Sequence, residues 1–284
     1  MAVERRVAEV PRTNADARRR PEPSVNESPP PDPRLTIEAL DDGRILKLRV
    51  DAPPGNVLDH ALVKALRAAL AGPARSPRLH ALLLTAGGKD FSFGASIHDH
   101  LPERIGPFLR EFHQLFRDLI DRSLPMVAAV RGRCLGGGLE LAAFAQRLVA
   151  APDAELGQPE IELALFAPVA SLILPWRVRG GASDELLLTG RRVGAAEAKA
   201  IGLVDEVADD PEAAALAWIR AHLLTKSASS LRYAAAAART RFHRAIVELL
   251  DHVERLYLGD LMHTPDAVEG VRAFLEKRAP RYGP

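Results

Sequence analysis

Two acids stand close to runs of glycine in this chain, and both settings can do chemistry. In Gly136-Gly137-Gly138-Leu139-Glu140, three glycines follow a short apolar run and an acid falls one helical step beyond them. A helix opening there would present unpaired N–H groups and a partial positive charge, which can hold an oxyanion. Glu140 is equally consistent with an acid favoured by the helix dipole. The second acid, Glu160, closes Gly157-Gln158-Pro159-Glu160, which by itself reads as a turn with an exposed carboxylate. A third segment, Phe91-Ser92-Phe93-Gly94-Ala95-Ser96, carries a glycine that allows backbone geometry other residues resist. That freedom would turn the amide of Ala95 toward a ligand, although many loops contain such a glycine.

The surrounding elements must hold these segments in place. Ile45–Val50 alternates and predicts a strand. Pro53-Pro54-Gly55-Asn56 predicts a turn, and Asp59 an N-cap for a helix through Leu62, Leu66 and Leu70. Leu79–Thr85 and Met126–Val130 read as buried strands. Leu109, Phe112, Leu115, Phe116 and Leu119 recur at helical spacing, and Gly136–Ala145 reads as a glycine-started helix. Strand and helix alternating through short connections predict an α/β fold with crossover units. Residues 34–210 form that expected core. Residues 211–284 read as a helical C-terminal subdomain with helices over 211–224, 230–240, 243–256 and 267–277. Residues 1–33 read as a solvated, disordered tail, rich in proline and poor in large apolar residues.

Composition narrows the function classes. The chain has 284 residues, 47% hydrophobic and 26% charged, with a formal net charge of +1. No global field points to nucleic acid. The tail's arginines (Arg5, Arg6, Arg12, Arg18, Arg19, Arg20) are matched by Glu4, Glu9, Asp16, Glu22, Glu27 and Asp32. The acids also argue against a transit peptide, and the first 20 residues lack the apolar core of a signal peptide. No apolar run is long enough to span a bilayer. The single cysteine, Cys134, excludes an internal disulfide and fits a cytoplasmic protein; it reads as a small buried residue. His98 and His100 do not make a metal site without a third ligand. Neither a Walker loop nor a dinucleotide fingerprint is present. No metal and no separate cofactor are therefore expected.

Taken in order, the three segments resemble the crotonase (enoyl-CoA hydratase/isomerase) family. The resemblance continues through Leu188-Thr189-Gly190-Arg191, Ala198–Val204 and Glu269–Arg278, and covers roughly residues 35–284. It implies the crotonase α/β fold, a helical trimerisation region, and a homotrimer or homohexamer acting on an acyl-CoA, in which coenzyme A is part of the substrate. It further implies that the amides of Ala95 and Gly137 bind the thioester oxygen and that Glu140 and Glu160 form the acid/base pair. Phe93, Gly94, Ser96, Ile97, Gly136, Pro159 and Phe166 would line the substrate. Phe274 and Lys277 would approach its nucleotide end, although a core Phe and a surface Lys account for them equally well. Water adding beside a thioester carbonyl builds charge on the carbonyl oxygen, and one amide donor to that charge is worth about 3–4 kcal/mol. Two carboxylates in one site suppress each other's ionisation, so one can act as base while the other supplies a proton.

Two departures matter. Ser96 stands where an acid is common, and Phe166-Ala167-Pro168-Val169-Ala170-Ser171 replaces a glycine-rich stretch after Glu160. Together with His100-Leu101-Pro102 and Lys226–Arg232, these resemble a narrower group within the family that hydrates cyclic conjugated dienoyl thioesters. The expectation is hydration of such a ring. A general enoyl-CoA hydratase or isomerase is the alternative, and a binding protein of the same fold without catalysis is the rival from another class.

Overall fold

The computed structural model describes residues 32–283. Nearly all of the expected N-terminal tail therefore lies outside the described residues.

Among the described residues, nine strands form two sheets. They are β1 (Leu35–Leu40), β2 (Ile45–Val50), β3 (Ala81–Ala86), β4 (Met126–Val130), β5 (Arg133–Leu135), β6 (Arg147–Ala150), β7 (Glu155–Gly157), β8 (Arg192–Gly194) and β9 (Glu206–Val207). The larger sheet has the order β1-β2-β3-β4-β6-β9, and the smaller one β5-β7-β8. The first hairpin, β1 with β2, is antiparallel; every later pairing of the larger sheet is parallel. The described residues also form ten α-helices: α1 (His60–Ala71), α2 (Ile105–Arg122), α3 (Gly137–Phe144), α4 (Pro168–Arg177), α5 (Ala182–Thr189), α6 (Ala195–Ile201), α7 (Pro211–His222), α8 (Ala228–Ala238), α9 (Thr240–Arg255) and α10 (Pro265–Leu275).

A parallel sheet joined by helical crossovers has to bury both faces. In register across the sheet, Leu48, Leu84, Ala128 and Leu148 point to one side. There they meet Leu62 and Leu66 of α1 and Phe112 and Phe116 of α2 in the main core. Ile45, Ala81, Leu83, Val127 and Val149 point to the other side, which Ala215 and Ile219 of α7 cover. Asp59 caps α1 as its type predicts, accepting from the Leu62 amide at 2.9 Å. Arg34 clamps Asp59 in turn, tying the start of the described chain to that helix.

The smaller sheet governs the site. β5 and β7 are parallel, with Leu135 opposite Gly157. A further parallel bridge sets Ser92 beside Cys134. Three stretches of chain thus run side by side in one direction. The segments leaving them are Phe93–Ser96, Gly136–Glu140 and Gln158–Glu160. Strand order alone brings the three chemistry-bearing segments to one edge, outside the carboxyl ends of parallel strands, the usual place for a ligand in such sheets.

Candidate active site

The first two segments touch through glycine. Gly94 has φ +102°, and a Cβ there would fall 3.1 Å from the carbonyl of Leu135 and 3.5 Å from the nitrogen of Gly137. A Cβ on Gly137 would lie 3.4 Å from the nitrogen of Ala95. The amides of Ala95 and Gly137 are therefore neighbours, and neither donates to a backbone acceptor among the described residues. The Gly137 amide also opens α3, so the partial positive charge of that helix adds to it. Two free donors side by side are an arrangement that can hold an oxyanion.

Both acids reach this place. Glu140 lies in the first turn of α3 and is buried, at 4% exposure. Its Oε1 accepts from the amide of Ala170 at 2.7 Å. α4 begins at Pro168 without a side-chain cap, so the Glu140 carboxylate serves its orphan amides. Glu160 sits in the single helical turn Pro159–Leu163, and its Oε1 hangs over Gly136: a Cβ on that glycine would fall 2.6 Å away. Burial raises the Glu140 pKa, opposed by the amides of Ala170 and Val169. For Glu160, burial and then the charge of Glu140 push the pKa up. The two share a site that favours a single negative charge.

Gln158 is a positioning residue that the sequence did not single out. It is 1% exposed. With its carboxamide nitrogen toward Glu160, Nε2 lies 3.1 Å from Oε2 and 3.3 Å from Oε1. Asn56 and Ser92 act in the same way on the first segment. Asn56 holds a left-handed backbone (φ +49°), accepts from the Ala52 amide at 2.7 Å, and donates to the carbonyls of Gly87 and Asp90, both at 2.8 Å. Ser92 Oγ donates to the Asn56 carbonyl at 2.8 Å and accepts from the Gly94 amide at 3.1 Å. Asn56→Ala removes three buried hydrogen bonds and leaves their partners unpaired. It should cost about 2–4 kcal/mol, seen as a lower urea midpoint with an unchanged slope.

The remaining expected residues divide. Ile97 packs against the core, and Ser96 starts a helical turn over Ile97–His100. Phe93 lies at the rim, 36% exposed, with the Arg133 guanidinium 3.9 Å above its ring. Asp90 holds Arg133 in place, and the hydrogen bond from that guanidinium lowers the Asp90 pKa. Phe166 sits between the Glu160 turn and the start of α4. Phe274 and Lys277 do not enter this cluster. Phe274 is 54% exposed on α10, and Lys277 is exposed just beyond it. Their helix nevertheless borders the site: a Cβ on Gly270 would fall 2.0 Å from the carbonyl of Leu163, so α10 lies directly against the Glu160 turn. His100 is buried with Nδ1 2.8 Å from the Ser96 carbonyl, and Cys134 is fully buried with its thiol pKa pushed up by desolvation.

Residues 41–284 match the model of the enoyl-CoA hydratase/isomerase family. Among relatives, a cyclohexa-1,5-dienecarbonyl-CoA hydratase of Thauera aromatica is 50% identical over 238 residues, covering 84% of this chain and 92% of the relative. A probable enoyl-CoA hydratase of Mycobacterium leprae is 38% identical over 212 residues, covering 72% and 81%. In fold, a crystal structure of an enoyl-CoA hydratase from Mycobacterium avium subsp. paratuberculosis superposes with a TM-score of 0.78 at 23% identity, covering 90% of this chain and all of the other. Two sheets in this order, the C-terminal helices and the match over most of the chain lead to one conclusion: the protein belongs to the enoyl-CoA hydratase/isomerase (crotonase) family.

Proposed function

We propose that this protein is a hydro-lyase that adds water to cyclohexa-1,5-diene-1-carbonyl-CoA, giving 6-hydroxycyclohex-1-ene-1-carbonyl-CoA. The observation that carries this reading is a buried and a half-buried carboxylate beside two unpartnered amides, in a chain 50% identical to a hydratase named for that substrate. In this reading the thioester oxygen lies between the amides of Ala95 and Gly137. Glu140 is the base: the α4 amides stabilise its charge. Glu160 is the acid, because the charge on Glu140 helps it keep its proton. The hydroxyl adds to the ring carbon beside the one bearing the thioester. Electrons move through the diene onto the thioester oxygen, where the two amides stabilise them. They return as Glu160 delivers a proton to the far end of the diene. One C–O bond and one C–H bond form, and one double bond remains between them.

The bulk of Phe166-Ala167-Pro168 after Glu160 supports a ring over a straight chain. A general enoyl-CoA hydratase is the second reading, favoured by the 38% identity to the mycobacterial relative. Rates on the cyclic diene and on crotonyl-CoA, measured side by side, separate the two. A kcat/KM about ten- to a hundredfold higher on the ring is expected, since one shape mismatch in an apolar site is worth about 1–3 kcal/mol. Preference for crotonyl-CoA would sink the ring assignment, and inactivity on both would favour a non-catalytic binding protein. The same reading includes a homotrimer or homohexamer acting in the cytoplasm, which sedimentation and cell fractionation would test. Among the described residues, no helix is long and apolar enough to cross a membrane.

A further inference from the structure

One polar group, on a ring that packs against Phe166, has no partner among the described residues. Tyr257 is 1% exposed, and its hydroxyl makes no hydrogen bond to any of the described residues. A buried donor left unpaired costs stability, so native proteins rarely keep one without a use. The backbone around it is also unusual. Tyr257 stands in a π-turn over Leu256–Asp260 that continues α9. Such turns are rare and gather at functional sites. The Tyr257 ring meets Phe166 edge to face, with centroids 5.2 Å apart. Phe166 links the Glu160 turn to the start of α4, whose amides hold Glu140. Burial and the nearby charges of Glu160 and Glu140 keep the phenol protonated well beyond its ordinary range. It is thus a permanent donor, packed on Phe166 between the supports of the two acids. α9 is fixed by Glu254, whose Oε2 lies 2.7 Å from Nδ1 of the buried His113 on α2. α2 also carries Phe112, whose ring a Cβ on Gly137 would meet at 3.3 Å.

We propose that Tyr257 is a further catalytic residue, its hydroxyl donating a hydrogen bond to the oxygen of the water that adds, and hence to the new hydroxyl of the product. The inference rests on the hydratase reading above. A water beside two carboxylates is oriented through its hydrogens, with its oxygen free to swing. A donor on that oxygen fixes the direction of one lone pair and leaves the other for attack. It also gives the product hydroxyl a partner that the substrate lacks.

Tyr257→Phe removes only the oxygen. Because the hydroxyl is unpaired in the free protein, the variant should melt at the same temperature or higher. Its kcat on the cyclic diene should fall about tenfold, the worth of one hydrogen bond, with KM unchanged. Calorimetric binding supplies the decisive readout. Affinity for 6-hydroxycyclohex-1-ene-1-carbonyl-CoA should fall about tenfold, while affinity for cyclohex-1-ene-1-carbonyl-CoA, which lacks the hydroxyl, should not move. Equal losses for both thioesters, or no loss for either, would overturn the proposal. If the wild type bound neither thioester and hydrated no diene, the hydratase reading would fall first and this inference with it. That result is distinct from a wild type that works and a variant that is indifferent.

Discussion

Glu160→Gln and Glu140→Gln should each lower kcat about a thousandfold, within the 10²–10⁴ range that positioned acids and bases contribute. KM should change only a few-fold, because each amide keeps the shape of the acid it replaces. In the Glu140→Gln variant the carboxamide oxygen can still accept from the Ala170 amide, so α4 keeps its partner. The losses should not multiply. A double variant should be about as slow as either single one, since base and acid serve one transition state. Steady-state rates on the cyclic diene check this. Sharply unequal losses would point to an isomerase, which needs only one essential carboxylate.

Charge coupling gives the same variants a stability signature. Glu160 has its pKa raised above the ordinary 4.5 by burial and by Glu140. A carboxylate raised on folding binds more protons in the native state than in the unfolded state. Native stability therefore falls as pH climbs from 4.5 through the raised value, and the full cost is present above it. Glu160→Gln removes that cost. The variant should melt a few degrees above the wild type at about pH 8, and the gap should close near pH ~4. A gap that grew in acid would contradict the assignment. Under the proposed acid and base roles, activity needs one carboxylate charged and the other protonated. Its pH optimum should therefore lie above the range of ordinary carboxylates and be lost on the alkaline side as the second proton leaves.

What could be read from the sequence follows from how local each signal is. The strand at Met126–Val130, the cap at Asp59 and the glycine-opened helix that carries Glu140 rest on neighbours a few residues away, and the structure has all three. Glu160 reads as an exposed turn acid because Gly157-Gln158-Pro159 is turn chemistry. Its environment comes instead from Gly136 and Glu140, on a different stretch of chain. The sheet that brings these together is invisible in the sequence: strands of three residues are too short to carry an alternating pattern. Asn56 is legible as a turn residue, but its side chain reaches the carbonyls of Gly87 and Asp90, far along the chain. Tyr257 leaves no signal, since one aromatic on an amphipathic helix is ordinary and only the tertiary structure leaves its hydroxyl unpaired. The family resemblance supplies what spacing cannot, the pairing of two distant acids with two distant amides.

Gly136→Ala concentrates that dependence in one methyl group. Gly136 has φ +50° and ψ −131°, a combination that glycine tolerates and alanine does not. The strain alone should cost about 1–3 kcal/mol. The added Cβ would fall 2.6 Å from Glu160 Oε1, so the carboxylate must move by most of an ångström. Displacements of that size typically cost about a hundredfold in rate, and kcat should fall at least that far. Two comparisons separate the clash from the strain. Gly43 also has a positive φ (+77°), but a Cβ there meets nothing within 4 Å. Gly43→Ala should therefore destabilise and leave kcat alone. In the Glu160→Gln background, Gly136→Ala should cost little further rate, because the group it displaces has already lost its proton chemistry. If the two losses multiplied instead, Gly136 would act through the Gly137 amide and the thioester oxygen rather than through Glu160. The rate in the double variant thus assigns the glycine to one half of the site or the other.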